Sequence, residues 1–512
     1  MKSLKKDKYI MRRYDLTGSM KQSVSPFLMR DEEFTYLRNV SYDEVGSLSK
    51  DGGYTQVGAD LDTSGSGDLM HTYLDNTGAF KALVITNGKL FGSTGTPIEW
   101  EELDSSTFTV DAKCTAENRE GLAYIVNELD GLHYTNGISV TSVSEDNGDI
   151  DILGRYMTVL GNEIFVANLS GTHSANDVVY TLAGSNTFYD PTEEDHDTYT
   201  TTSLKFSAKD PITGIKAFQG VIFYWTENEM YMFNPENLEV KVIASIGCTS
   251  HDSIQEINGV LYWVNRDGVF RFNGSTLPEL ISIPITNWAI NSLWRVIDGV
   301  MWNSVAAVSF EGKYMLYVGD LTGTLPGDSG TLSDVVLTYD TYRDVWYFLT
   351  DYPVSTFTRF INGQGNLRLL FTSKDEAKVY QKDFSYKADG SPINMVVRTK
   401  YFSFDMPENE KQLEDLLITM RPSGGEGYYL TIKMAKNGTN YYEEYVTDST
   451  PTKVELDAVS GTEFQLSKVT MKGVRVRTAS YEFSNDDSGI NMTLLGYTQQ
   501  YKYLNNNMNL TV

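Results

Sequence analysis

The sequence predicts an all-β protein with a β-propeller-like body of about five to seven blades, an extended N-terminal arm and a C-terminal β-sandwich or jelly-roll domain. Three observations carry that prediction. A short phrase recurs, in which an apolar run, a turn and an aromatic-rich run follow one another: Ala82 to Phe91, Leu122 to Tyr134, Tyr156 to Val166, Gly220 to Phe233 and Gly259 to Phe272. Looser copies run from Val305 to Trp346 and from Leu367 to Tyr380. Turn dipeptides punctuate the copies, among them Asn87-Gly88, Asn136-Gly137, Asn258-Gly259, Asp267-Gly268 and Asn362-Gly363, which are the residues tight β-hairpins demand. Finally, 33 Tyr, 23 Phe and 7 Trp suit pleated, half-buried strands. Strand pairs recurring at roughly 35–60 residues indicate radial repetition.

The arm comprises residues 1–54 and lacks the repeat phrase. It opens with Lys2, Lys5, Lys6, Lys8, Arg12 and Arg13, then passes through Ser25-Pro26-Phe27-Leu28. Asp31 to Val40 reads as one short helix, with acids in its first turn and Arg38 near its end. Gly46 to Tyr54 reads as a turn between strands. The segment is too poor in apolar residues to form a core, so it is expected to dock. Lys5, Lys6, Arg12, Arg13, Phe27 and Leu28 are the residues nominated for docking.

The body comprises residues 55–390 and carries three polar insertions, at Ser144–Asp151, Ser185–Thr202 and Leu321–Ser333, read as exposed loops. Between Ile281 and Trp302 the apolar spacing turns helical, through Ile285, Trp288, Ala289, Leu293 and Trp294. Residues 391–512 contain strand-like runs at 396–402, 416–420, 428–434, 474–478 and 492–497, and end in an Asn-rich tail.

Charge narrows the function classes. The net charge is −26, with +5 in the first 13 residues and −3 from Ser391 onward, which leaves about −28 for the middle. Such a body repels nucleic acid, since phosphate binding requires Lys and Arg to displace counterions. No run of about 18 apolar residues predicts a membrane-spanning helix. The N-terminus lacks the apolar stretch of a signal peptide. Cys114 and Cys248 are too few for a disulfide framework, and two buried thiols made in a reducing cytoplasm are expected.

No catalytic, cofactor or metal residue is nominated, and the chain reads as a non-enzyme. His71, His133, His173, His196 and His251 show no zinc-helix spacing, and there is no Cys-x-x-Cys, nucleophile elbow or phosphate loop. Asp190, Glu193, Glu194, Asp195 and Asp197 crowd one insertion but lack the alternate ligand positions and bend glycine of a calcium loop, so they read as a solvated acidic loop. Asp146 to Asp151 comes nearer that pattern but lacks its distal Glu. Paired carboxylates serve glycosidases, but among 68 acids no pair stands out. Trp225, Trp263 and Trp346 are read as core before they are read as sugar platforms.

Residues 15–54 resemble the N-terminal arm of tail nozzle, or tail-hub and DNA-stabilisation, proteins of short-tailed double-stranded DNA phages. The matching residues are Gly18, Pro26, Leu28, Glu32, Leu37, Asn39, Val40, Gly46, Leu48, Lys50 and Gly52. Ser19, Met20 and Asp51 depart from the pattern. Ile281 to Ile285, and Val336 to Asp340 leading to Val345-Trp346, are similar to the same proteins. The resemblance implies a virion protein, assembled in the host cytoplasm into a tail ring of six copies below the portal and adaptor rings. It would close the DNA channel, open for genome ejection and meet tail fibre or spike proteins. An acidic lumen would let the duplex slide without tight binding, with the 190–197 acids as the expected lumen or tip loop. The alternatives are a glycan-binding or glycan-cleaving propeller and a head–tail connector ring.

Overall fold

The computed structural model describes residues 8–504 except 63, 96–97, 106, 144–151, 172, 182, 187, 189–204, 286–304, 326–327, 424–426, 440–441, 443–452, 458–463 and 472. It is all-β: six small sheets, five of four strands and one of six, stand around an axis in the manner of a propeller. The four-stranded sheets cover 67–104, 115–142, 154–207, 214–244 and 255–280, here blades 1 to 5. The four strands of 306–349 form blade 6 and belong to a nine-stranded sheet. Blade 7 is the six-stranded sheet, built from 354–382 and completed by a strand of the arm.

The turn dipeptides do the local work the sequence assigns them. Asn87 and Gly88 both take positive φ (50° and 74°), and Thr86 pairs with Lys89 across them. That is the backbone twist a two-residue hairpin requires, and only Asn, Asp and Gly adopt it cheaply. Apolar second strands such as Val221–Trp225 and Val260–Asn265 then bury their side chains between neighbouring blades. Phe218, Phe223 and Trp225 of blade 4 share one cluster with Leu261, Trp263 and Phe270 of blade 5. Trp225, Trp263 and Trp346 are among the largest fully buried side chains. Each large apolar side chain so buried contributes about 1.5–3 kcal/mol.

The arm docks on its own chain. Its strands are β1 (Tyr9–Arg13), β2 (Phe34–Arg38), β3 (Val40–Ser41), β4 (Leu48–Lys50) and β5 (Gly53–Gln56). β5 pairs with Val379–Lys382 and closes blade 7. β2 lies between blade 6 and the C-terminal region: Arg38 aligns with Phe348 on one side, and Leu37 pairs with Val397 on the other. β1 and β4 both pair with the last strand, Met492–Tyr503. That strand belongs to a seven-stranded sheet that faces the C-terminal half of the nine-stranded one. Leu416, Ile418, Ile432, Phe483 and Tyr497 pack in the same cluster. The expected sandwich is therefore present, but four arm strands, β1 to β4, are part of its two sheets.

Two local expectations fail. The helix expected at 31–40 is the strand β2, because Phe34, Tyr36 and Leu37 are buried and both edges of the segment are paired. Sheet burial overrides the helical charge pattern there. The loop expected at 321–333 is a hairpin in which Lys313–Leu325 pairs with Asp328–Asp340, out to Leu325 opposite Asp328. Thr and Gly tolerate that extension, and Leu321 and Leu332 anchor it by burial. The helix expected from 281 lies outside the described residues beyond Ile285, as do the insertion at 144–151 and all but the start of the one at 185–202. The last strand reaches Tyr503, inside the expected tail.

Candidate functional site

The first strand of each blade is its innermost, and several of these strands carry charged side chains, such as Glu117 of Thr115–Arg119 and Lys216 of Gly214–Phe218. Gly67–Leu74, Thr115–Arg119, Gly154–Leu160 and Gly214–Phe218 are neighbours in turn. Gln255–Ile257 lies beside Ala306–Phe310, which lies beside Val354–Ile361, which returns to Gly67–Leu74. Strands on an axis have little room between them, so their inward side chains face a shared space instead of a partner blade. A cavity of about 170 Å³ occupies it, lined by His71, Glu117, Lys216, His251, Asp252 and Thr358, with apolar residues such as Leu69, Met70, Ile254 and Phe357 between them. One end widens into a mouth of about 480 Å³ that shares Thr115, His251 and Asp252 and adds Asp68, Asp111, Lys113, Glu128, Arg155, Tyr156 and Lys374.

The charges of the axis are largely matched. Lys216 Nζ donates to Glu117 Oε1 at 2.8 Å. Lys113 pairs with Asp252 at 2.6 Å, Arg155 with Glu128 at 2.8 Å, and Lys374 with Asp334 at 3.1 Å. Burial pushes the Glu117 carboxyl up, but the Lys216 ammonium outweighs it and holds the group below the usual range. At Asp252 burial is likewise outweighed, by the Lys113 ammonium. Both histidines are held neutral. Burial pushes His251 down to about 4, and His71 is lowered for the same reason. His71 Nε2 lies 2.7 Å from Asn118 Oδ1, and His251 stacks on Tyr156 with ring centroids 4.7 Å apart.

Chemically this is a polar pocket whose charges are paired in salt bridges. The Cys114 thiol borders it, but burial pushes that thiol up to about 12, so it holds no thiolate at neutral pH. Among the described residues no group of three His, Cys, Asp or Glu side chains is placed to hold a metal ion. The cavity of about 170 Å³ equals about six water volumes at about 30 Å³ each. It cannot pass a duplex, whose major groove alone is about 12 Å wide.

The residues nominated from sequence divide into three groups. Lys5 and Lys6, and the acids Asp190, Glu193, Glu194, Asp195 and Asp197, lie outside the described residues. Arg12 projects into solvent from β1. Arg13, Phe27 and Leu28 gather at one place: Arg13 pairs with Asp31 and sits 5.3 Å over the Phe402 ring, Asp31 also receives Lys400 at 3.0 Å, and Phe27 packs on Tyr401 at 5.1 Å. Beside them Leu28 is 81% exposed. The axial residues were missed from sequence. Their signal is the contrast between polar first strands, such as Thr115–Arg119, and the apolar second strands that follow, visible once the repeats are superposed.

No family model matches the sequence, and no curated protein does. Among solved structures, the chain is similar to the extracellular domain of a putative hybrid two-component system from B. thetaiotaomicron, at a TM-score of 0.41 and 11% identity, over 71% of this chain and 43% of that one. The aligned part is thus less than half of that domain.

Proposed function

We propose that this chain is a structural ring component of a short-tailed phage tail, a nozzle or hub whose copies surround the DNA channel and open it for ejection. The observation that carries the proposal is where the arm's matching residues fall. Leu37, Asn39, Val40 and Leu48 have no exposed surface, and Lys50 is 1% exposed. Asn39 bridges Thr350 and Asn394, and Lys50 Nζ donates to Asn485 Oδ1 at 2.9 Å. A Cβ on Gly18 would meet the Glu32 carbonyl at 2.1 Å, and one on Gly52 would meet that of Asp383 at 2.0 Å. These residues knit the propeller to the sandwich. The resemblance thus rests in large part on buried positions that join the two parts, whereas Leu28, also among the matching residues, lies on the surface.

Charge and size support the same reading. A net charge of −26 suits a wall past which DNA slides. The propeller axis is too narrow for DNA, so the channel lies between copies. Exposed Leu28, on the patch with Phe27, is the expected contact for the adaptor ring. The glycan reading is weaker, because Trp225, Trp263 and Trp346 are core and offer no stacking face.

The test is immunogold electron microscopy of particles, with antibody against the sandwich domain. Gold at the far end of a short tail is the expected result. Gold at the neck would make the protein a connector, and particles without gold would overturn the virion reading.

A further inference from the structure

We propose that the axial mouth of the propeller binds a small organic cation, through a primary ammonium group seated between Asp68 and Asp111. The inference holds whether or not the chain forms a ring.

Asp68 is 5% exposed and borders the mouth, yet its Oδ2 has no hydrogen-bond partner. A buried carboxylate oxygen without a partner is costly and is rarely left so unless something else supplies the donor. Asp111 stands at the rim of the same mouth, on a residue at φ 60°. The other carboxylates of the wall are matched: Glu128 by Arg155 and Asp252 by Lys113. Asp68 and Asp111 form no such salt bridge among the described residues. Burial, and then the Asp111 charge, push the Asp68 carboxyl up to about 7, and a hydrogen bond from the Asp111 backbone N–H and the Lys113 charge offset only part of that. A cation beside Asp68 would favour its anionic form.

The chemistry favours an ammonium over a metal ion. Divalent ions need six or more oxygen ligands in a shell, and no group of three candidate ligands is present among the described residues. An ammonium has three donors and is satisfied by two carboxylates and a hydroxyl. Ser250, Thr115 and Ser355 border the same space. The mouth of about 480 Å³ continues into the axial cavity past His251 and Asp252, which leaves room for an alkyl chain behind the ammonium.

The experiment is isothermal titration of the full chain with 1,4-diaminobutane at pH 8 and low salt, where Asp68 is ionised, with magnesium at matched ionic strength as competitor. Saturable one-site binding is expected, weakened tenfold or more in Asp68→Asn and unchanged in Glu101→Gln, a variant on the outer strand of blade 1. Asp111→Asn, at the exposed rim, guards against a folding defect and is expected to weaken binding at least threefold. Absence of saturable binding at millimolar diamine, equal displacement by magnesium, or binding by both Asp variants within twofold of the parent would each overturn the proposal.

Discussion

Asn39 offers the sharpest test of how the two halves are joined. It sits between β2 and β3 with no exposed surface and a φ of 53°. Its Nδ2 donates to Thr350 Oγ1 and to the Asn394 carbonyl, each at 3.0 Å, and its Oδ1 accepts the Thr350 N–H at 2.8 Å. Asn39→Ala removes all three bonds. The Thr350 N–H is then buried without a partner, at about 1–3 kcal/mol, while the carbonyl of exposed Asn394 can turn to water. The Thr350 hydroxyl keeps its bond to Asp351 Oδ2 at 2.9 Å, so it adds little. Alanine at positive φ costs about 1 kcal/mol more. The expected loss is therefore about 3 kcal/mol, and Asn39→Gly, free of the backbone strain, should lose about 1 kcal/mol less. The assay is urea unfolding followed by tryptophan fluorescence and by far-ultraviolet circular dichroism. One transition should appear by both probes, because blade 6, β2 and the sandwich share a single apolar cluster. A loss below about 1 kcal/mol, or two separate transitions with only one displaced by the substitution, would refute the reasoning.

Other expectations follow from the same geometry. Arg398 Nε donates to Glu482 Oε2 at 2.6 Å, with both side chains almost wholly buried, and its guanidinium lies 4.5 Å over the Tyr36 ring. Arg398→Met should cost about 3–5 kcal/mol in urea unfolding, and adding Glu482→Leu should recover much of it, since a broken buried pair is worse than none. His251 gives a pH signature. The unfolded chain gains its proton near 6.5 and the folded chain only near 4, so the unfolded state binds more protons between those values. Its contribution to stability is thus lost as pH falls from 6.5 to 4, and thermal melts of His251→Asn should show a shallower acid slope than the parent. Asp68 acts in the opposite sense. With a folded value raised to about 7, its contribution is present at acid pH and lost as pH rises through 7, so Asp68→Asn should flatten that limb. Leu28→Asp should leave the melting temperature unchanged, because Leu28 is 81% exposed, but should reduce incorporation into tail-less particles. Unimpaired incorporation would remove Leu28 from the adaptor contact.

Much of the propeller was legible because its rules are local. Asn-Gly pairs impose hairpins, and runs such as Val260–Asn265 announce strands buried on both faces. The sandwich strands were legible for the same reason. What the pattern does not carry is partnership across the chain. Asp31 to Val40 has a helix-like charge pattern, and only its insertion between Val345–Leu349 and Met395–Thr399 makes it a strand. Likewise Gly53–Gln56 reads as a short run after a turn, and its role in closing blade 7 depends on residues more than 300 positions away. The axial site was hidden because its members, among them His71, Glu117, Lys216 and His251, are each unremarkable alone. They meet only because every blade contributes its first strand to the axis.

The central claim is that this chain forms the wall of a DNA channel. The most direct test is a cryo-electron-microscopy reconstruction of the particle's tail with its rotational symmetry determined from the images. The account predicts a six-fold ring of this chain around a lumen wide enough for a duplex, with the propeller axes lying in the wall. A single copy, or a ring in which DNA density and this chain do not share an axis, would contradict it.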